Sequence, residues 1–254
     1  MNILFIGTGS AFCVNNFHSN AVVIKNNKNL LVDAGGDLRF ALHENNMSYK
    51  DIDAVYISHF HTDHVGGLEY LAFKSYFDDE KSKIKLFIHE SLVKPLWDES
   101  LKAGLCMINN NKLTINDFYE VIHVSKSFKW EKIKFNLIET LHVSECQNTL
   151  PVFGLMINAS KKIYITGDTR FTPAELDEAY KKADIIIHDT ETAHNKSLIH
   201  AHFEDLVYLN PEIKSKTYLW HYSDNVSLNF DYWQNLALDN GFKGFLKKGE
   251  IIKV

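Results

Sequence analysis

The chain has 254 residues, of which 45% are hydrophobic and 23% charged, with a net charge of −5. That length can bury one large core, and no run approaches the roughly 18 uninterrupted apolar residues of a membrane span, so a soluble protein with no membrane contact is expected. The acidic balance, without any basic stripe, argues against an extended grip on nucleic acid, although a metal site can still hold one or two phosphates locally.

The predicted elements alternate in type along the chain. Residues 2–7 (NILFIG) read as a first strand ended by Gly7-Thr8-Gly9, and the start lacks the basic leader and cleavage pattern of a signal peptide. Residues 21–24 and 30–32 form a hairpin across the Asn-rich turn 25–29, and Asp33-Ala-Gly-Gly ends its second strand. A helix over 38–46, a buried strand over 54–58 and a helix over 68–77 follow. Further strands are expected at 85–88, 120–123, 133–140, 153–157, 163–166, 185–188 and 218–220, with helices at 91–103, 173–182 and 203–209. Strand runs with helices set between them suit an α/β fold of two packed sheets with helices outside, one domain over 1–254. Cys13, Cys106 and Cys146 are odd in number and widely spaced, which fits a reducing cytosol better than a disulfide framework.

The chemistry concentrates in Ser58-His59-Phe60-His61-Thr62-Asp63-His64-Val65-Gly66-Gly67. Four ligand-type side chains fall within six residues, directly after a buried strand. The i, i+2 spacing of His59 and His61 puts both imidazoles on one side of an extended backbone, and Asp63 and His64 face a neighbouring point about one turn later. Imidazole and carboxylate together suit Zn²⁺, with Mn²⁺, Fe and Co²⁺ as alternatives. The two glycines allow a tight turn into the next helix.

With its early Gly-Thr-Gly turn, the Leu31–Gly35 segment (LVDAG) and the His-x-His-x-Asp-His string, the chain resembles the metallo-β-lactamase superfamily along nearly its whole length. The resemblance implies an αββα sandwich with two divalent metals at one edge of the sheets. Carried over by position, His59, His61 and His142 are implied to hold the first metal, and Asp63, His64 and His221 the second, with Asp168 bridging both. Asp33 is implied to steady the metal loop from behind.

Two metals and a bridging carboxylate favour phosphodiester cleavage by a metal-bridged hydroxide, with Asp63 in the catalytic group. The pattern is similar to the tRNase Z and cyclic-nucleotide phosphodiesterase branch, whose strand ending in His and a carboxylate resembles Ile185–Asp189. In that branch a histidine held by the carboxylate sits near the scissile phosphate. This implies His200 as general acid with Asp189 as its orienter, Glu191 in reserve and His202 as a competing choice. A tRNase Z carries a long basic arm between its third histidine and its bridging Asp. Here only 26 residues (168 − 142) separate His142 from Asp168, which leaves no room for one.

The chain is therefore more similar to compact phage anti-Pycsar cyclic-nucleotide phosphodiesterases. That resemblance implies a small cyclic nucleotide as substrate, a homodimer, and a cytoplasmic location, in a host cell if a phage encodes the chain. A tRNase Z-like endoribonuclease, another hydrolase of the fold such as a thiolesterase or lactonase, and a non-catalytic nucleotide sponge stay open as alternatives. Thr8-Gly9-Ser10 and the loop 15–20 are candidates for reading the nucleotide, and Phe73, Tyr76 and Phe77 for a lid or dimer contact.

Overall fold

The computed structural model describes residues 1–80, 82–145, 148–149 and 151–254; Cys146 lies outside them. Two seven-stranded sheets face each other. The first runs, edge to edge, Glu250–Lys253, Asn2–Gly7, Asn20–Lys25, Lys28–Val32, Ala54–Ile57, Ile84–His89 and Tyr119–Val124. The second runs Gly244–Phe245, Thr217–Trp220, Ile185–Asp189, Lys162–Ile165, Val152–Asn158, Ile133–Thr140 and Ser127–Trp130.

The first strand shows why these segments read as unbroken apolar runs. Ile3 and Phe5 point into the core between the sheets, while Leu4 and Ile6 point outward beneath the helices Leu38–Glu44 and Leu68–Tyr76. Residues of alternate parity on Ala54–Ile57 divide in the same way. A strand buried on both faces has no polar side to show. A third core lies between the second sheet and the helices Pro173–Lys182 and Phe230–Asp239. The four layers are helix, sheet, sheet, helix, the expected αββα sandwich.

Each sheet is antiparallel on one side and parallel on the other. Lys28–Val32, Ala54–Ile57, Ile84–His89 and Tyr119–Val124 run parallel, as do Lys162–Ile165, Ile185–Asp189, Thr217–Trp220 and Gly244–Phe245. Parallel strands end together, so the loops leaving their C-terminal ends gather at one edge. That is where open α/β sheets place their ligands.

Several boundaries differ from the sequence reading, for local reasons. The first hairpin turns on two residues only, Asn26 and Asn27, both with positive φ, the two-residue turn whose twist matches its strands. The helix expected at 91–103 runs Glu90–Leu105 but widens into a π-turn at Leu96–Leu101, just after Pro95, which has no amide hydrogen for the regular ladder. The helix starting at Phe203 ends at Leu206. Glu250–Lys253 carries only two apolar residues and is strand only because it pairs with Asn2–Phe5. Phe230–Asp239 is a helix beyond those expected, although Phe230, Trp233, Leu236 and Ala237 fall at helical spacing. No helix among the described residues is long and apolar enough to cross a membrane.

Candidate metal centre

Every candidate ligand follows the end of a strand. Ala54–Ile57 delivers His59 and His61, and one turn of helix, Thr62–Val65, delivers Asp63 and His64. Ile133–Thr140 leads to His142, Lys162–Ile165 to Asp168, and Thr217–Trp220 to His221. The turns out of the strands are sharp. Asp33, Gly167 and His221 all take left-handed backbone, with φ of 61°, 62° and 60°. Only the glycine adopts this freely; Asp33 and His221 are held in strained backbone at the site itself.

A methyl group on Gly167 would meet Val152 Cγ1 at 3.3 Å. Gly167→Ala should therefore lower stability by about 1–2 kcal/mol, read as a shifted denaturation midpoint at unchanged m-value. Gly66 and Gly67 form the expected turn from Thr62–Val65 into the helix Leu68–Tyr76, and packing adds a second reason for them. Both have ordinary right-handed φ, −60° and −84°, but a Cβ on Gly66 would sit 2.6 Å from Thr62 O, and one on Gly67 2.6 Å from Gly35 O. Close backbone packing under the metal loop requires them.

All seven predicted ligands converge. In one cluster His61 Nδ1 lies 3.1 Å from His59 Nε2 and 3.3 Å from His142 Nε2, and Asp168 Oδ2 lies 3.6 and 3.7 Å from the same two Nε2 atoms. In the other, His64 Nε2 is 3.2 Å from Asp63 Oδ2 and 3.2 Å from Asp168 Oδ1, and His221 Nε2 is 3.3 and 3.5 Å from those oxygens. A tetrahedron with arms of about 2.0–2.1 Å has edges of roughly 3.3–3.4 Å, so both clusters have the size of a four-coordinate cation site. Asp168 gives one oxygen to each.

The far side of each ring fixes which nitrogen faces inward. His64 Nδ1 donates to Asp33 Oδ2 at 2.8 Å. Ser58 Oγ donates to the same oxygen and so accepts from His59 Nδ1 at 3.0 Å. His142 Nδ1 donates to Ile199 O at 2.7 Å, and His221 Nδ1 stands 3.1 Å from Asp189 Oδ1. With those hydrogens turned outward, His59 Nε2 and His142 Nε2 present lone pairs toward His61 Nδ1 and Asp168, the orientation that ligation of a cation requires. Buried His64 Nε2 finds no hydrogen-bond partner of its own among the described residues.

Electrostatics agree. Burial holds His59, His61 and His142 below the usual imidazole range, neutral and ready to ligate. His64 and His221 are pushed up despite burial, because Asp168 and further carboxylates crowd them. Burial would raise Asp168, but His221, His64 and His59 outweigh it and keep the carboxylate ionised. The donor set fits two divalent cations. Asp33→Ala removes the support of both His59 and His64, and should weaken metal retention about 10- to 100-fold in competition against a chelator.

His200 stands beside this set. Its Nδ1 donates to Asp189 Oδ2 at 2.8 Å and lies 4.0 Å from Asp168 Oδ2. Burial disfavours its charged form, but Asp189 more than offsets that and raises its pKa; Asp189 itself is lowered to about 2. The His200 side chain is 17% exposed against 0–7% for its neighbours His142, His221 and Asp63, so it reaches the opening, as does the partly buried His61. It borders a cavity of about 260 Å³ with His221, Glu191 and Ser10.

The competing choice, His202, is turned elsewhere. Its Nδ1 accepts from Glu204 N to cap a helix, and its Nε2 donates to Ala193 O. Glu191 is engaged with the Ser197 backbone. Thr8 and Asn20 are buried scaffolding, bonded to Tyr222 and to the Gly35 amide, which leaves only Ser10 of the expected nucleotide-reading residues beside the cavity. Phe73 and Tyr76 pack on the first core, Phe77 is exposed, and none of the three borders the cavity. Sequence reasoning missed Ser58, whose position directly before His59 was its only signal, and Ile199, whose contribution is a backbone carbonyl.

The chain is similar to known proteins along most of its length. The chain is 34% identical over 231 residues to the anti-Pycsar protein Apyc1 of Paenibacillus sp. (strain J14), covering 89% of this chain and 91% of that protein. It is 32% identical over 236 residues to the anti-Pycsar protein Apyc1 of Bacillus phage vB_BsuM-Goe3, covering 88% and 90%. Its fold matches that of the metallo-β-lactamase fold protein YhfI from Bacillus subtilis, with a TM-score of 0.74 at 16% identity over 99% of both chains. The family model of the anti-Pycsar protein Apyc1 matches residues 1–252, and the chain belongs to that family.

Proposed function

We propose that this protein is a metal-dependent phosphodiesterase that opens small cyclic nucleotides, and that residues 1–254 act as one hydrolase domain. The observation that carries the reading is the pairing of two four-ligand clusters through Asp168 with a separately held imidazole, His200, at their mouth. Two divalent cations bound there, Zn²⁺ being the first choice for this donor set, would make a water nucleophilic near neutral pH and neutralise charge building on the phosphoryl oxygens.

The chain's own residues do the rest. His59, His61 and His142 would hold one cation and Asp63, His64 and His221 the other, with Asp168 belonging to both sets. Asp189 fixes the His200 ring through Nδ1 and favours its protonated form, so the Nε2 proton is available to the departing ribose oxygen. Asp33 and Ser58 keep the ligand rings in one orientation. The buried walls of the clusters exclude bulk water.

The stretch between His142 and Asp168 holds the hairpin Val152–Asn158 and Lys162–Ile165, with no arm among its described residues, and this favours a small substrate over tRNA. The family name supports a role against a cyclic-nucleotide defence signal in the cytoplasm of a host cell. A homodimer is part of the proposal, to be checked by light scattering. Incubating metal-loaded protein with a panel of 3′,5′-cyclic mononucleotides and cyclic dinucleotides should yield ring-opened products. No turnover of any of them, alongside cleavage of precursor tRNA, would overturn the reading.

A further inference from the structure

The cavity beside His200 and His221 holds about 260 Å³, below the roughly 300–1,000 Å³ that encloses a whole drug-sized ligand. A cyclic phosphate and its ribose fill such a space; the base must then rest against its rim. One side of that rim is built by Ser10, Ala11 and Phe12. Phe12 is 94% exposed, the most exposed large apolar residue among those described.

Single exposed apolar residues are common, and exposure alone decides nothing. What distinguishes Phe12 is the backbone beneath it. Ser10 N donates to Tyr222 O, Cys13 N to Ser10 O, and Cys13 Sγ to Tyr222 O. Val14 N and Asn15 N donate to the two carboxylate oxygens of Asp224. His18 Nε2 donates to Ala11 O. Every residue around Phe12 is tied down, yet its ring touches no core. The loop fixes the backbone on both sides of the aromatic ring and leaves the ring's faces free.

A second stretch of the rim repeats the pattern. Ser197 and Ile199 border the cavity, and between them Leu198 is 74% exposed with φ of +66°. A branched residue there is strained, and Glu191 accepting from Ser197 N helps to hold the segment in place.

We propose that Phe12, on its anchored loop, is the platform on which the nucleobase of the substrate stacks, with Leu198 on the second stretch of the rim. The proposal rests on the phosphodiesterase reading above and adds the base-binding subsite to it. Stacking is tolerant of sequence because every base has a π-face, so this subsite demands a planar base without selecting one. Selection among bases is left to polar groups at the rim, such as Ser10 and Ser197.

The test compares wild type, Phe12→Ala and Phe12→Trp on a cyclic mononucleotide and on the base-free methyl riboside 3′,5′-cyclic phosphate. Phe12→Ala should raise KM for the nucleotide roughly 5- to 100-fold, with kcat within about threefold. The base-free diester should be cleaved equally well by both, and Phe12→Trp should restore the nucleotide KM. Unchanged KM in Phe12→Ala overturns the stacking role alone. An equal loss on both substrates, or a change of oligomeric state that accompanies the loss, also overturns it, because the ring then supports the fold or a subunit contact. Wild type inert toward both substrates removes the phosphodiesterase reading and the subsite with it.

Discussion

Asp168→Ala is expected to lower hydrolysis about 10³-fold or more and to leave the purified protein with fewer than two bound cations per chain. The side chain is fully enclosed, with one oxygen toward each cluster and four imidazoles at 3.2–3.7 Å. Removing it takes a donor from both sites at once. Losing a metal pair removes several kcal/mol of stabilisation of developing charge, and each 1.4 kcal/mol is a factor of ten in rate. Elemental analysis beside a rate assay checks both parts, with circular dichroism to show that the fold persists. A variant that keeps two metals and most of its activity would remove Asp168 from the bridging position.

His200→Ala should behave differently. Its ring packs against those of His142 and His221, with centroids 4.6 and 4.9 Å away; it groups with Asp168, Asp189 and His221, but its Nδ1 is committed to Asp189 and it is absent from the two sets built on His59 and His64, so metal content should hold. The rate on a cyclic nucleotide should fall roughly 10²–10⁴-fold, the usual worth of a placed general acid. A diester whose leaving group is p-nitrophenolate departs without needing a proton and should lose far less. That contrast separates proton donation from support of neighbouring rings. A loss under threefold on the nucleotide, or equal losses on both substrates, would take His200 out of the mechanism.

The ligands were legible because they lie close to strand ends, and strand ends are marked by the passage from apolar runs to Gly, Asp and His. His59, His61, Asp63 and His64 announce themselves by spacing. His142, Asp168 and His221 do not; singly, either histidine reads as a core residue, and only the resemblance to a known family draws the three together. What the sequence hides is whatever depends on the backbone. Ile199 contributes a carbonyl that any residue could supply. Deciding between His200 and His202 required knowing that one faces Asp189 and the other caps a helix. The edge strand Glu250–Lys253 is set by pairing with the first strand rather than by its own pattern, and the glycines of the metal loop serve packing that no local propensity encodes.

Seven side chains between His59 and His221 converge on two positions of the size a pair of cations would occupy. Anomalous diffraction from crystals of catalytically active protein, collected on either side of the absorption edge of the metal found in it, tests this most directly. Two peaks about 3.5–4 Å apart are predicted, one among His59, His61 and His142, the other among Asp63, His64 and His221, with Asp168 between them. Active protein with no peak in either cluster, or with a single peak lying away from both, would contradict the account.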